Sequence, residues 1–139
     1  MADPPLESRY WLPHGTRVLL VHASPGRDDG PGLTVEASDA QLAERGFAEC
    51  DADLVLTGHT HVPADRTLAG VRLINVGSVS LPTKPRGATW TMVDADETGY
   101  RIEHMEAAYD LAEVLAALEA THHPTAAWLE HKLGRDGSG

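Results

Sequence analysis

Two continuous apolar runs punctuate the first half of the chain. Arg17-Val18-Leu19-Leu20-Val21 is bounded by turn residues, a pattern that predicts a strand buried on both faces. Asp53 to Thr57, with Leu54-Val55-Leu56 at its centre, predicts a second. Between them Ser38 to Cys50 reads as a helix. Ser38 and Gln41 have capping-box spacing, and Leu42, Phe47 and Cys50 supply an apolar stripe, with Gly46 weakening the helix by up to about 1 kcal/mol. Strand, helix, strand is the order of a parallel βαβ unit, whose C-terminal strand ends share one edge, where open α/β sheets place ligands.

Arg66 to Val76 predicts a hairpin turning at Ala69-Gly70, and Ala88 to Val93 and Tyr100 to Met105 predict two more strands joined by an acidic loop ending in Gly99. Asp110 and Glu113 mark the start of a helix whose Leu111, Val114, Leu115 and Leu118 keep i, i+3, i+4, i+7 spacing. Pro124 restarts a last short helix through Trp128 and Leu129, which Gly134 ends. Residues 1–16, with their prolines and the His14-Gly15 turn signal, predict an irregular lead-in whose Tyr10 and Trp11 need cover. Arg135 to Gly139 reads as a disordered tail.

Both buried runs deliver histidine. The first ends in His22 and the second in Thr57-Gly58-His59-Thr60-His61-Val62-Pro63. In extended backbone, residues i and i+2 share a face, so His59 and His61 are expected to converge on one small object. Gly58 permits close approach of the backbone, and Pro63 stops a ladder from continuing. Neutral imidazoles suit a metal. An HxH pair taken alone suits a solvated loop equally well. If both strands run parallel, His22 meets His59 and His61 at one edge.

Composition narrows the chemistry. The 139 residues, 42% hydrophobic and 23% charged, support one domain with a modest core. A formal net charge of −10 argues against a nucleic-acid surface or an anionic membrane. One cysteine, Cys50, excludes an intramolecular disulfide and any CxxC site, and it reads as a buried structural thiol. The N-terminal residues show neither a basic region nor an apolar run, and no stretch has membrane-spanning length, so the cytoplasm is the expected compartment.

In order and spacing, Val21-His22-Ala23-Ser24-Pro25, Gly58-His59-Thr60-His61-Val62-Pro63 and Asn75-Val76-Gly77-Ser78-Val79 resemble the C-terminal half of calcineurin-like metallophosphoesterases, in particular their small bacterial phosphodiesterase branch. The Tyr109-Asp110 entry into the late helix is similar too, and the resemblance covers residues 17–134. It implies an α/β fold, part of a four-layer αββα sandwich in which two β-sheets are covered by helices. It implies metal-dependent hydrolysis of a phosphomono- or diester at a dinuclear site. His22 and His59 would bind one metal and His61 the other, with Asn75, Gly77 and Ser78 in a turn that borders the site without binding metal. In the family such a site clamps a phosphoryl group between two divalent ions about 3.5–4 Å apart. Manganese, iron, cobalt, nickel and zinc all suit mixed nitrogen and oxygen ligands. Ala23 and Val76 replace a usual glycine and proline, and neither change removes a ligand.

The family's D-x-H, G-D and G-N-H motifs, which carry the bridging carboxylate and the histidine that assists the leaving group, have no counterpart here; Asn75 is the only asparagine. The resemblance therefore assigns this chain no catalytic residue, and implies a missing N-terminal half or a homo-oligomer partner. Asp28, Asp29 and Asp65 are the first candidates for replacement carboxylates. The rival reading is a non-catalytic scaffold or inactive fragment of the same fold, the role the fold has in the retromer coat. A serine hydrolase built on Ser24 lacks the first glycine of its elbow. His104, His122, His123 and His131 read as ordinary strand and helix-end residues.

Overall fold

The parallel βαβ unit forms in the first half of the chain. The computed structural model describes residues 5–81 and 87–134, and the predicted tail lies outside them. Strands β1 (Glu7–Trp11), β2 (Arg17–Val21), β3 (Leu54–Thr57), β4 (Ala64–Leu68) and β5 (Val71–Asn75) make one mixed sheet in the order β1-β2-β3-β5-β4. β2 and β3 run parallel with Leu19 beside Val55, and β3 and β5 run parallel with Thr57 beside Asn75. The C-terminal ends of β2, β3 and β5 thus reach the same edge. At the opposite edge Asp53 fixes the register of β2 and β3, accepting from the Arg17 backbone N–H at 2.8 Å and from its guanidinium at 2.8 and 3.0 Å.

Both faces of this sheet are covered, which is why its central strands are apolar throughout. Leu19, Val55 and Leu73 pack on one side with Leu33, Leu42, Phe47 and Cys50. Val18, Leu54 and Ile74 pack on the other, against Tyr100 and Ile102 of a second sheet. That sheet is the antiparallel pair β6 (Ala88–Asp96) and β7 (Gly99–Ala107). The β4–β5 hairpin turns where predicted, with Ala69 and Gly70 at φ 50° and 85°, both positive as the tight two-residue turn requires.

Three local expectations are corrected. The irregular lead-in contains β1, which pairs antiparallel with β2. An edge strand needs hydrogen bonds on one side only, and the flanking Pro5 and Pro13 fall outside it. Tyr10 and Trp11 remain 55% and 69% exposed. The helix between β2 and β3, α1, runs only over Asp39–Glu44. Its capping box is present, but Gly46 terminates the helix instead of weakening it. At φ 87° Gly46 donates to Ala43 O, while Phe47 donates to Leu42 O, the paired bonds of a glycine-ended helix. The third correction concerns the GHTH stretch and is taken up below.

Residues 108–134 belong to a separate compact unit. Asp110 caps α2 (Leu111–Ala120) by accepting from Ala112 N–H at 2.8 Å and Glu113 N–H at 3.3 Å. α3 (Ala126–Gly134) packs on α2, and Leu115, Ala126 and Ala127 line the cleft between them.

Candidate metal centre

His22 and His59 meet at the C-terminal edge of β2 and β3. His59 Nδ1 lies 3.2 Å from His22 Nε2, with the rings edge to face at 5.0 Å between centroids. Their backbones are tied together as well. Thr57, fully buried at the end of β3, donates its hydroxyl to His22 O at 2.7 Å, and Gly58 N–H donates to the same carbonyl at 3.0 Å.

The backbone of the GHTH stretch is not extended. His59 and His61 have φ 66° and 61°, in the left-handed region that side chains other than glycine rarely adopt. Thr60 N–H donates to Gly58 O at 2.7 Å, which closes a three-residue turn around His59. Such strain costs about 1–3 kcal/mol per residue and persists only where surrounding structure enforces it. Asn75 does much of the enforcing. Entirely buried at the end of β5, it donates through Nδ2 to Gly58 O at 2.6 Å and to Thr60 Oγ1 at 2.8 Å. Its Oδ1 accepts from Gly77 N–H at 3.0 Å, so one amide joins the histidine turn to the turn after β5.

Carbonyl contacts decide the ring protons. A backbone carbonyl can only accept, so each neutral histidine touching one must donate to it. His59 Nε2 meets Gly30 O at 2.7 Å, which leaves the lone pair of the neutral ring on Nδ1, the atom facing His22. His61 Nδ1 meets Leu81 O at 2.9 Å, which leaves its lone pair on Nε2. Metal-binding histidines characteristically give their other ring N–H to a carbonyl or carboxylate in this way.

The segment between β2 and α1 contributes more than its sequence indicates. Besides Gly30 O, it places buried Leu33 so that its carbonyl accepts from Thr60 Oγ1 at 3.1 Å. Gly32, at φ 60°, lies so close that an added Cβ would sit 3.3 Å from the His59 ring. The clustered glycines of Asp29-Gly30-Pro31-Gly32 are the only sequence signal of this close approach.

His22 and His59 touch, and His61 Nδ1 contacts Leu81 O. Among the described residues, no group of three or more His, Cys, Asp or Glu side chains is arranged to hold a metal ion. Of the replacement carboxylates, Asp65 pairs with Arg72 at 2.7 Å on the far hairpin, and this guanidinium lowers its pKa. Asp29 pairs with Arg27 at 3.1 Å. Asp28 lines, with His22, Leu20 and Leu6, an open groove of about 330 Å³. Cys50 is buried and donates to Phe47 O at 3.4 Å, and burial raises its thiol pKa.

The profile of the calcineurin-like phosphoesterase superfamily domain matches residues 5–98. The chain belongs to that superfamily. In fold it is similar to a hypothetical protein of Pyrococcus horikoshii OT3, at 15% identity and TM-score 0.72 over 91% of this chain and 50% of that one. It is similar to a conserved uncharacterized protein of Streptococcus pneumoniae TIGR4, a predicted phosphoesterase, at 20% identity and TM-score 0.55 over 80% and 61%. Wild-type Vps29 of Entamoeba histolytica, a structure complexed with zinc, is similar at 14% identity and TM-score 0.50 over 76% and 63%. This superfamily chain therefore spans between half and just over three-fifths of the length of those structures. No curated protein matches it in sequence. No helix among its described residues is long and apolar enough to cross a membrane.

Proposed function

We propose that this chain supplies histidine ligands to a divalent-metal-dependent phosphoesterase that hydrolyses a phosphomono- or diester. The observation that carries the reading is the contact of His59 Nδ1 with His22 Nε2 at 3.2 Å, with His59 Nε2 turned onto Gly30 O. Two nitrogens each about 2.0–2.1 Å from one tetrahedral ion lie roughly 3.3 Å apart, so the pair fits a shared ion. His22 Nε2 and His59 Nδ1 would hold that ion, and His61 Nε2 would serve the second.

When bound, two such ions supply Lewis acidity toward a phosphoryl oxygen and a water nucleophile at neutral pH. This chain's residues orient the site. Gly30 O and Leu81 O set which ring nitrogens carry lone pairs, Thr57 locks the two strand ends together, and Asn75 holds the strained turn. The bridging carboxylate and the proton donor for the leaving group come from polypeptide outside these 139 residues or from a partner copy. The site works on a phosphoester substrate inside the cytoplasm.

Calorimetry with Zn²⁺ and Mn²⁺ tests the reading. The isolated chain should bind weakly, and His59→Ala should remove that binding. Affinity unchanged by the substitution would place the metal elsewhere and sink the assignment. A second reading is a scaffold of the same fold acting through protein contacts. A chain that binds no transition metal under any condition would support it.

A further inference from the structure

His61 is held from the second sheet. Its Nδ1 donates to Leu81 O at 2.9 Å, and Leu81 N–H in turn donates to Ser78 Oγ at 3.0 Å. Ser78 is clamped by a single residue of β6. Thr89 Oγ1 accepts from Ser78 N–H at 2.9 Å and donates to Ser78 O at 3.2 Å, while Thr89 N–H donates to that same carbonyl at 2.9 Å. Thr89 is 3% exposed, so water does not compete for its hydroxyl. The turn has been shaped around it. Gly77, at φ 83°, approaches so closely that an added Cβ would lie 2.2 Å from Thr89 Oγ1 and 2.9 Å from Thr89 Cβ.

We propose that Thr89 is a positioning residue for the site: its hydroxyl fixes the Ser78–Leu81 turn and thereby holds His61 as the Nδ1–H tautomer, with the lone pair on Nε2. The tautomer of a neutral histidine follows the hydrogen bond its other nitrogen makes. A threonine hydroxyl both accepts and donates, and here it does both to one residue. Valine has the same shape and neither capacity; serine keeps both. The importance of that orientation rests on the reading of His61 as a ligand, but the orientation itself does not.

Nitrogen-15 NMR of the histidine rings in the metal-free chain, at alkaline pH where imidazoles are neutral, tests this directly. His61 should show the Nδ1–H pattern and His59 the Nε2–H pattern in one spectrum. Thr89→Val should move His61 toward Nε2–H and leave His59 unchanged, and Thr89→Ser should retain both patterns. Ser78→Ala, which removes the acceptor of Leu81 N–H, should reproduce the valine shift and serves if Thr89→Val does not fold. The inference is overturned if wild-type His61 is Nε2–H, if Thr89→Val and Ser78→Ala leave it unmoved, or if His59 shifts in step with it. Serine behaving as valine would overturn it too. No metal enters the measurement, so failure of metal binding in calorimetry would remove the proposed function and leave this inference standing.

Discussion

Thr57, at the end of β3, and His22, just past the end of the parallel β2, are joined by a 2.7 Å hydrogen bond from the threonine hydroxyl to the histidine carbonyl. It links the last residue of β3 to the residue that follows β2. The same hydroxyl reaches Ala23 O at 3.1 Å, so a buried side chain sets the spacing of the two segments that carry the facing imidazoles. Thr57→Val keeps the shape and deletes both bonds. It should cost about 0.5–1.5 kcal/mol, the net worth of a typical hydrogen bond, because His22 O keeps the Gly58 N–H as a partner. Denaturant melts give the stability, and Zn²⁺ titration should show weakened binding.

Strain at His59 is measurable by comparing two substitutions. His59→Ala and His59→Gly both remove the imidazole and its bond to Gly30 O. Only glycine adopts the φ of 66° without penalty. His59→Gly should therefore be about 1 kcal/mol more stable than His59→Ala in denaturant melts. Equal stabilities would mean that the turn opens in solution.

Gly77 and Gly70 separate strain from collision. Both have positive φ, 83° and 85°, but an added Cβ at Gly70 meets nothing within 4 Å. Gly70→Ala should cost about 1 kcal/mol. At Gly77 the Cβ would also strike Thr89, so Gly77→Ala should cost about 1–3 kcal/mol more than Gly70→Ala. Circular dichroism melts distinguish the two.

Asp53 predicts an acid limb of stability. Its pKa is lowered to about 2, first by the Arg17 side-chain hydrogen bond and then by the Arg17 backbone N–H. A carboxyl held below its unfolded value of about 3.9 contributes stability fully present above that value and lost as pH falls through the folded one. The Asp53 side chain is 46% exposed, so solvent screening keeps the effect below about 1 kcal/mol. Thermal melts between pH 5 and 2 should show a smaller loss for Asp53→Asn than for wild type.

The chain by itself should hydrolyse bis(p-nitrophenyl) phosphate little or not at all, even with Mn²⁺ present. General acid assistance alone is worth roughly 10²–10⁴-fold. Activity restored on supplying the absent motifs, and abolished again by His59→Ala or His61→Ala, is the expected outcome. Turnover by the chain alone would direct attention to Asp28, the candidate carboxylate that shares a groove with His22.

What the sequence determined is what short-range physics encodes. Unbroken apolar runs at Val18–Val21 and Leu54–Leu56 can be satisfied only by burial on both faces, and a histidine following each marks the shared edge. Ala69-Gly70 and the Ser38–Gln41 capping box are legible because the interactions they predict lie within four residues. The superfamily followed from the ordered motifs. The tertiary structure decided the rest. β1 becomes a strand because β2 offers it an edge, not because its own sequence demands one. The left-handed turn at His59 and His61 opposes local preference, and buried Asn75 and Leu33 O, remote in sequence, enforce it. Which imidazole nitrogen carries the lone pair depends on two carbonyls, Gly30 O and Leu81 O, placed by loops without periodicity. Ring tautomers follow from the partners that surround them, and those partners are assembled only when the chain folds.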